Sequence, residues 1–128
     1  MKYVIKMCML LVLLQSFQCE NSNDSSTITP EQLEQKKQEI LDYIATFSCE
    51  NANGCRSIAF GSKPCGGPRE YLVYPNTVNQ NVLETMVNDY NQMENQHNIQ
   101  TNAVSDCMAV MPPNEIGCVN GVCTIIVN

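Results

Sequence analysis

The chain has no tryptophan, a single histidine (His97), and only seven lysines and arginines against thirteen acidic residues. The shortage of cations argues against nucleic acid as a partner, because phosphate recognition needs clustered Lys and Arg that release counterions. It equally disfavours adsorption to anionic lipid headgroups by charge alone. One histidine would have to serve every nucleophilic mechanism, and no Gly-x-Ser-x-Gly elbow occurs. There is no dinucleotide glycine fingerprint, no P-loop and no internal repeat. Also missing is an apolar run of the ~20 residues that a bilayer-spanning helix needs.

The one apolar run that exists is short and sits at the start. Met1-Lys-Tyr-Val-Ile-Lys6 is a small basic region, and Met7-Cys-Met-Leu-Leu-Val-Leu-Leu14 is an apolar stretch of eight residues. Together they read as an export leader over residues 1–18. Gln15-Ser-Phe-Gln-Cys19 follows at the place of cleavage. The leader resembles that of bacterial lipoproteins, in which a lipid-carrying cysteine becomes the first mature residue. Leu14 and Ser16 fit that approach, whereas Gln18 stands where a small residue is usual. The resemblance implies lipidation of Cys19 and a membrane partner reached through an N-terminal lipid. It places the domain in the cell envelope, outside the inner membrane; simple secretion is the alternative. Residues 19–29 are polar and acidic, without apolar periodicity, and read as a flexible tether. Residues 30–128 are then the single domain. Lys2 and Lys6 leave with the leader, so five basic residues face all thirteen acidic ones in the mature chain.

Of the eight cysteines, Cys8 lies in the leader and Cys19 is the expected lipid site. The six that remain, Cys49, Cys55, Cys65, Cys107, Cys118 and Cys123, pair without remainder in an oxidising compartment. No Cys-x2-Cys pair occurs, which argues against a metal, and no cofactor is expected. Asn120-Gly121 is the favoured pair for a two-residue type I′ hairpin turn and sets Cys118 opposite Cys123, near bridging distance. The expected bridges are therefore Cys118–Cys123, with Cys49–Cys55 and Cys65–Cys107 for the rest.

Thr29-Pro-Glu-Gln32 has the form of a capping box with proline at the first helical position. Leu33, Ile40, Leu41, Ile44 and Phe47 follow at helical spacing and predict an amphipathic helix of about 17 residues. Residues 57–60 and 70–74 carry the branched and aromatic content of strands. Thr77-Val-Asn-Gln80 is a second possible capping box, followed by the stripe Val82, Leu83, Met86, Val87, Tyr90 and Met93. Residues 95–102 read as a polar loop, 105–111 as a strand and 116–127 as a hairpin. The fold class is α+β: two helices packed on a small antiparallel sheet, with a C-terminal β-hairpin and disulfide staples.

Phe60-Gly-Ser-Lys-Pro-Cys-Gly-Gly-Pro-Arg-Glu-Tyr-Leu72, with Ser105-Asp-Cys107 downstream, is similar to small exported bacterial proteins of uncharacterised function. That similarity implies no activity. The residues leave three readings. A non-enzymatic module binding a protein or glycan fits the tether, the staples and the lack of a catalytic set. Its candidate surface is the glycine-rich loop 61–68 with Arg56, Lys63 and Arg69. A protease inhibitor would present Arg56, directly after a bridged cysteine, on a preorganised loop. A small hydrolase would need His97 beside Cys65 as a thiol pair or two converging carboxylates. An even cysteine count speaks against the thiol, and the acids fall mostly on polar helix faces.

Overall fold

The computed structural model describes residues 27–127; the leader, Cys19 and most of the tether lie outside the described residues. The elements run α1 (Pro30–Ala45), a 3₁₀ turn (Ala52–Gly54), β1 (Cys55–Phe60), β2 (Glu70–Pro75), α2 (Gln80–Gln100), β3 (Ile116–Val119) and β4 (Val122–Ile125). Strands pair antiparallel as β1 with β2 and as β3 with β4, giving an α+β fold with two small sheets.

The start of α1 is the expected capping box with both halves formed. The Thr29 side chain accepts from the Gln32 backbone N–H at 3.3 Å. The Thr29 N–H donates to Gln32 Oε1 at 2.9 Å, so two of the helix's orphan donors are satisfied reciprocally. Of its apolar stripe, Leu33 and Ile40 are buried, and Leu41, Tyr43, Ile44 and Phe47 are packed at the core's edge.

The β1–β2 register sets Ile58 opposite Leu72 and Phe60 opposite Glu70. Side chains alternate between the faces of a strand, so the ribbon serves two apolar clusters at once. Ile58, Phe60, Leu72 and Tyr74 pack with Leu33 and Ile40 of α1 and with Leu83, Val87 and Tyr90 of α2. Cys55 and Val73, on the other set, pack with Cys49, Cys118, Cys123 and Ile116.

Three sequence expectations are corrected here. First, Asn79 rather than Thr77 caps α2, its side chain accepting from the Val82 N–H at 3.3 Å. Thr77 instead donates its hydroxyl to the Ser48 carbonyl at 3.4 Å. Second, α2 runs on through the stretch read as a polar loop, to Gln100. Asn95, Gln96 and Gln100 are exposed there, but Asn98, like Glu94 one turn earlier, is buried. Third, residues 105–111 form no strand. Val104, Met108 and Met111 are strongly exposed, and alternation without a surface to cover makes no strand. The segment is held instead by the Cys65–Cys107 bridge and by Lys63.

The hairpin is as read. Asn120 and Gly121 both have positive φ, 51° and 82°, as a type I′ turn requires. Cys118 does lie opposite Cys123. The bridges, however, are Cys49–Cys118, Cys55–Cys123 and Cys65–Cys107, so the first two expected pairs are wrong and the third is right. Facing residues point to the same side of a hairpin, and that side lies on the Cys49 and Cys55 segment. A Cys118–Cys123 bond would close only a short loop. Bonds spanning 69 and 68 residues restrict the unfolded chain far more. They also fix the hairpin, whose Val119, Val122 and Ile125 stay exposed, to the rest of the domain.

Candidate functional site

The loop joining β1 to β2 carries two of the three sequence-nominated cations, Lys63 and Arg69, and is tied down at its base while Cys65, Gly66 and Gly67 stay exposed. Three residues on one face of α2 hold it: Asn91, Glu94 and Asn98, spaced for adjacent turns. Asn91 accepts from the Gly61 N–H at 2.7 Å, and Glu94 accepts from the Ser62 N–H. Asn98 donates its amide to the Ser62 carbonyl at 2.7 Å. Arg69 pairs through Nε with Glu94 and donates to Asn98 Oδ1 at 3.4 Å. Gly61 adopts φ 81°, and a Cβ there would lie 2.9 Å from both Arg69 Cβ and Glu94 Oε2, so this position needs glycine. Lys63 donates to Asp106 Oδ1 at 2.6 Å and to the Met108 carbonyl at 2.8 Å, with its side chain only 10% exposed. That hydrogen bond holds the Asp106 carboxyl below its usual range. Lys63 and Arg69 thus serve the loop's own structure.

Arg56 stands apart, inside β1 opposite Tyr74, with its guanidinium donating to the carbonyls of Asn53 and Cys55. A strand-paired backbone cannot enter a protease as an extended substrate mimic without leaving its ladder. Cys65 is bonded to Cys107 and carries no thiol. His97 lies in the last turns of α2, its Nδ1 2.7 Å from the Ile28 carbonyl. The structure therefore does not assemble a Cys65–His97 pair. Burial, aided by the neighbouring Glu94 carboxylate, pushes the Tyr90 phenol up to about 12. The folded state therefore favours the neutral phenol. Its contribution is intact below the unfolded value of about 10 and is lost as pH rises to about 12. A phenolate absorbance titration is expected to show Tyr90 ionising late, and Tyr90→Phe to flatten the loss of stability across that window.

A different place has the shape of a binding site. An open cleft of about 620 Å³ lies where α1 ends, lined by Phe47, Glu50, Asn51, Asn53, Asn76 and Thr77, with Thr46, Ser48, Cys49 and Gly54. The sequence explains how the walls form. Thr46 closes α1 with its hydroxyl on the Tyr43 carbonyl at 2.7 Å, and the chain turns away at Phe47, whose ring meets Tyr43 edge-on. Residues 51–54 coil into the 3₁₀ turn, with the Gly54 N–H on the Asn51 carbonyl at 3.0 Å. The second wall is tied to the first by the Asn76 N–H on the Gly54 carbonyl at 2.7 Å. Beneath, the Cys49 N–H reaches the Gly121 carbonyl at 2.9 Å, so the hairpin tip braces the cleft. A smaller apolar pocket of about 270 Å³ adjoins, lined by Leu41, Ile44, Val73 and Val122 and sharing Phe47.

The cleft's polar groups are amides and hydroxyls with one carboxylate, Glu50, and no cation lines it. This suits a neutral ligand rich in hydroxyls, which needs mixed donors and acceptors and an apolar ring face. These residues were not singled out from sequence. The only trace of them there is the turn-rich Glu50-Asn-Ala-Asn-Gly54, which reads as a simple chain reversal. The same two cysteines that flank this loop join a compact group: the sulfurs of Cys49, Cys55 and Cys123 lie within 4.8 Å of one another, and Cys118 is bonded to Cys49. Among the described residues no helix is long and apolar enough to cross a membrane. No family model matches this chain, and neither does any curated protein or solved structure.

Proposed function

We propose that this chain is an exported cell-envelope lipoprotein whose domain is a non-enzymatic binding module for a glycan. Residues 1–18 are removed, Cys19 carries the lipid, and residues 19–29 tether the domain. The observation that carries the reading is the amide-lined cleft at the end of α1. Its walls are crosslinked at both ends of residues 50–54, by Cys49 to β3 and by Cys55 to β4, so little ordering is left to do on binding. Asn51, Asn53 and Asn76 supply paired donors and acceptors for hydroxyls, and Phe47 supplies a face for a sugar ring. The absence of a cation from the lining steers the ligand away from phosphate and sulfate esters. The inhibitor reading draws less support, because Arg56 is held within a strand.

Titration calorimetry of the mature chain against neutral envelope oligosaccharides tests the ligand. Binding that falls at least tenfold in Asn76→Ala and Asn51→Ala supports it. No binding by the parent, or equal binding by the variants, overturns it. The anchor has its own readout. The parent is expected to partition with detergent and to show the mass of an acylated Cys19, and Cys19→Ala to move to the aqueous phase.

A further inference from the structure

We infer that the reduced form of this chain holds one thiophilic divalent ion, of the zinc class, between Cys49, Cys55, Cys118 and Cys123. The inference does not depend on the glycan reading. It starts from how the fold assembles these residues. Cys118 and Cys123 face each other across the β3–β4 hairpin with four residues between them, at the long end of the spacing in zinc-binding knuckles. Cys49 and Cys55 flank a second tight turn, one residue longer. The two turns meet, and each bridge joins one turn to the other: Cα–Cα distances are 6.0 Å for Cys49–Cys118 and 5.7 Å for Cys55–Cys123.

The sulfurs are already gathered. Those of Cys49, Cys55 and Cys123 lie within 4.8 Å of one another, although Cys49 belongs to one bridge and the other two to the second. In a tetrahedral thiolate site with metal–sulfur distances of about 2.3 Å, neighbouring sulfurs are roughly 3.8 Å apart. The Cys118 sulfur lies outside that group of three; it is bonded to Cys49 and becomes the fourth ligand once the two bonds open and the side chains rotate. The surroundings suit a closed structural site. Cys49, Cys55 and Cys123 are each under 9% exposed, and Val73 and Ile116 pack around them. Four thiolates could not stay charged there unpaired, and an ion supplies the missing charge. Cys65 and Cys107 lie in an exposed bridge between other segments and take no part.

The chemistry closes with a thiol as reductant. Two protein disulfides and four thiols give four cysteine thiols and two small-molecule disulfides. The four cysteine thiols and the ion then give the tetrathiolate and four protons. Two small-molecule disulfides reverse this, restoring both protein bridges and releasing the ion and four thiolates. The ion would hold the hairpin against residues 50–54 while the bridges are open.

The test uses the full mature chain, reduced with a phosphine under anaerobic conditions, with zinc chloride or cobalt chloride as the probe. Alkylation followed by peptide mapping is expected to modify Cys65 and Cys107 and to spare the other four when zinc is present. Cobalt is expected to bind at one ion per chain with the intense visible bands of a tetrahedral tetrathiolate. Cys118→Ser is expected to weaken cobalt binding at least tenfold, and Cys65→Ser to leave it unchanged. Equal alkylation of all six cysteines with zinc present overturns the inference. So does a cobalt spectrum without those bands, or equal loss in the two variants. The alkylation pattern requires no variant to fold.

Discussion

Replacing Phe60 by alanine is expected to cost about 3–5 kcal/mol, read as a fall in the denaturation midpoint by urea with the slope unchanged. Phe60 is 1% exposed and ends β1 at the centre of the helix-facing cluster. Its ring stacks on Tyr90 of α2 with centroids 4.2 Å apart and planes at 21°. On its other side the Lys37 ammonium of α1 lies 5.6 Å from the ring centre. One side chain therefore joins both helices to the ribbon. Alanine would leave a cavity between three elements, and the cost within that range depends on how far they close around it. A domain of this size has a total stability of about 5–15 kcal/mol, of which this is a large share. A loss below about 1 kcal/mol would show that the core repacks around the hole, contrary to the packing described.

Removing the Cys55–Cys123 bridge by double replacement with serine is expected to cost about 3 kcal/mol in chain entropy, because Cys49–Cys118 remains and the loop the lost bond closed runs only through residues 49–55 and 118–123. The same relation gives at least as much for Cys65–Cys107, whose loop stays longer with the other bridges in place, although loop length enters only as a logarithm. The two variants should nevertheless differ. Cys55 and Cys123 are buried, and their bond fixes β4 to the start of β1. Without it, the folded state also loses packing around Val73 and Ile116. Cys65 and Cys107 are exposed, and Cys107 belongs to a segment without regular structure. Freeing that segment loosens the folded state as well as the unfolded one, which offsets part of the penalty. Denaturant midpoints for the two double variants test this: the Cys55/Cys123 pair should fall further. Equal losses would mean that chain entropy alone governs both.

The way loop 61–69 uses its cations bears on function. Lys63 and Arg69 would count as a basic recognition patch if read from sequence spacing alone. Their partners, Asp106, Glu94 and Asn98, come from 25 to 43 positions away. The ion pair of Arg69 with Glu94 has one partner buried and the other 45% exposed, so its part is to fix the loop's path rather than to add much stability. The cleft beside Asn51 and Asn76 lies at the opposite end of the β1–β2 ribbon from this loop.

Sequence by itself determined the features whose causes are local. The Thr29–Gln32 capping box, Pro30 and the apolar spacing of α1 all act within a few residues, so the helix was legible with its start. The Asn120-Gly121 turn fixed the hairpin and its register, because only residues tolerant of positive φ fit there. The composition fixed six bridging cysteines and the α+β class. Tertiary structure decided what depends on distant neighbours. It lengthened α2, because Glu94 and Asn98 satisfy loop 61–69 from a helical face that hydrophobic periodicity cannot mark. It left residues 105–111 without a strand, with Met108 and Met111 exposed and the segment tied by the Cys65–Cys107 bridge and Lys63. It also bonded Cys118 and Cys123 to other partners although they face each other. Facing positions bring two sulfurs near, but which bond forms depends on the other sulfurs present, and the packing of the hairpin on residues 49–55 supplied two more.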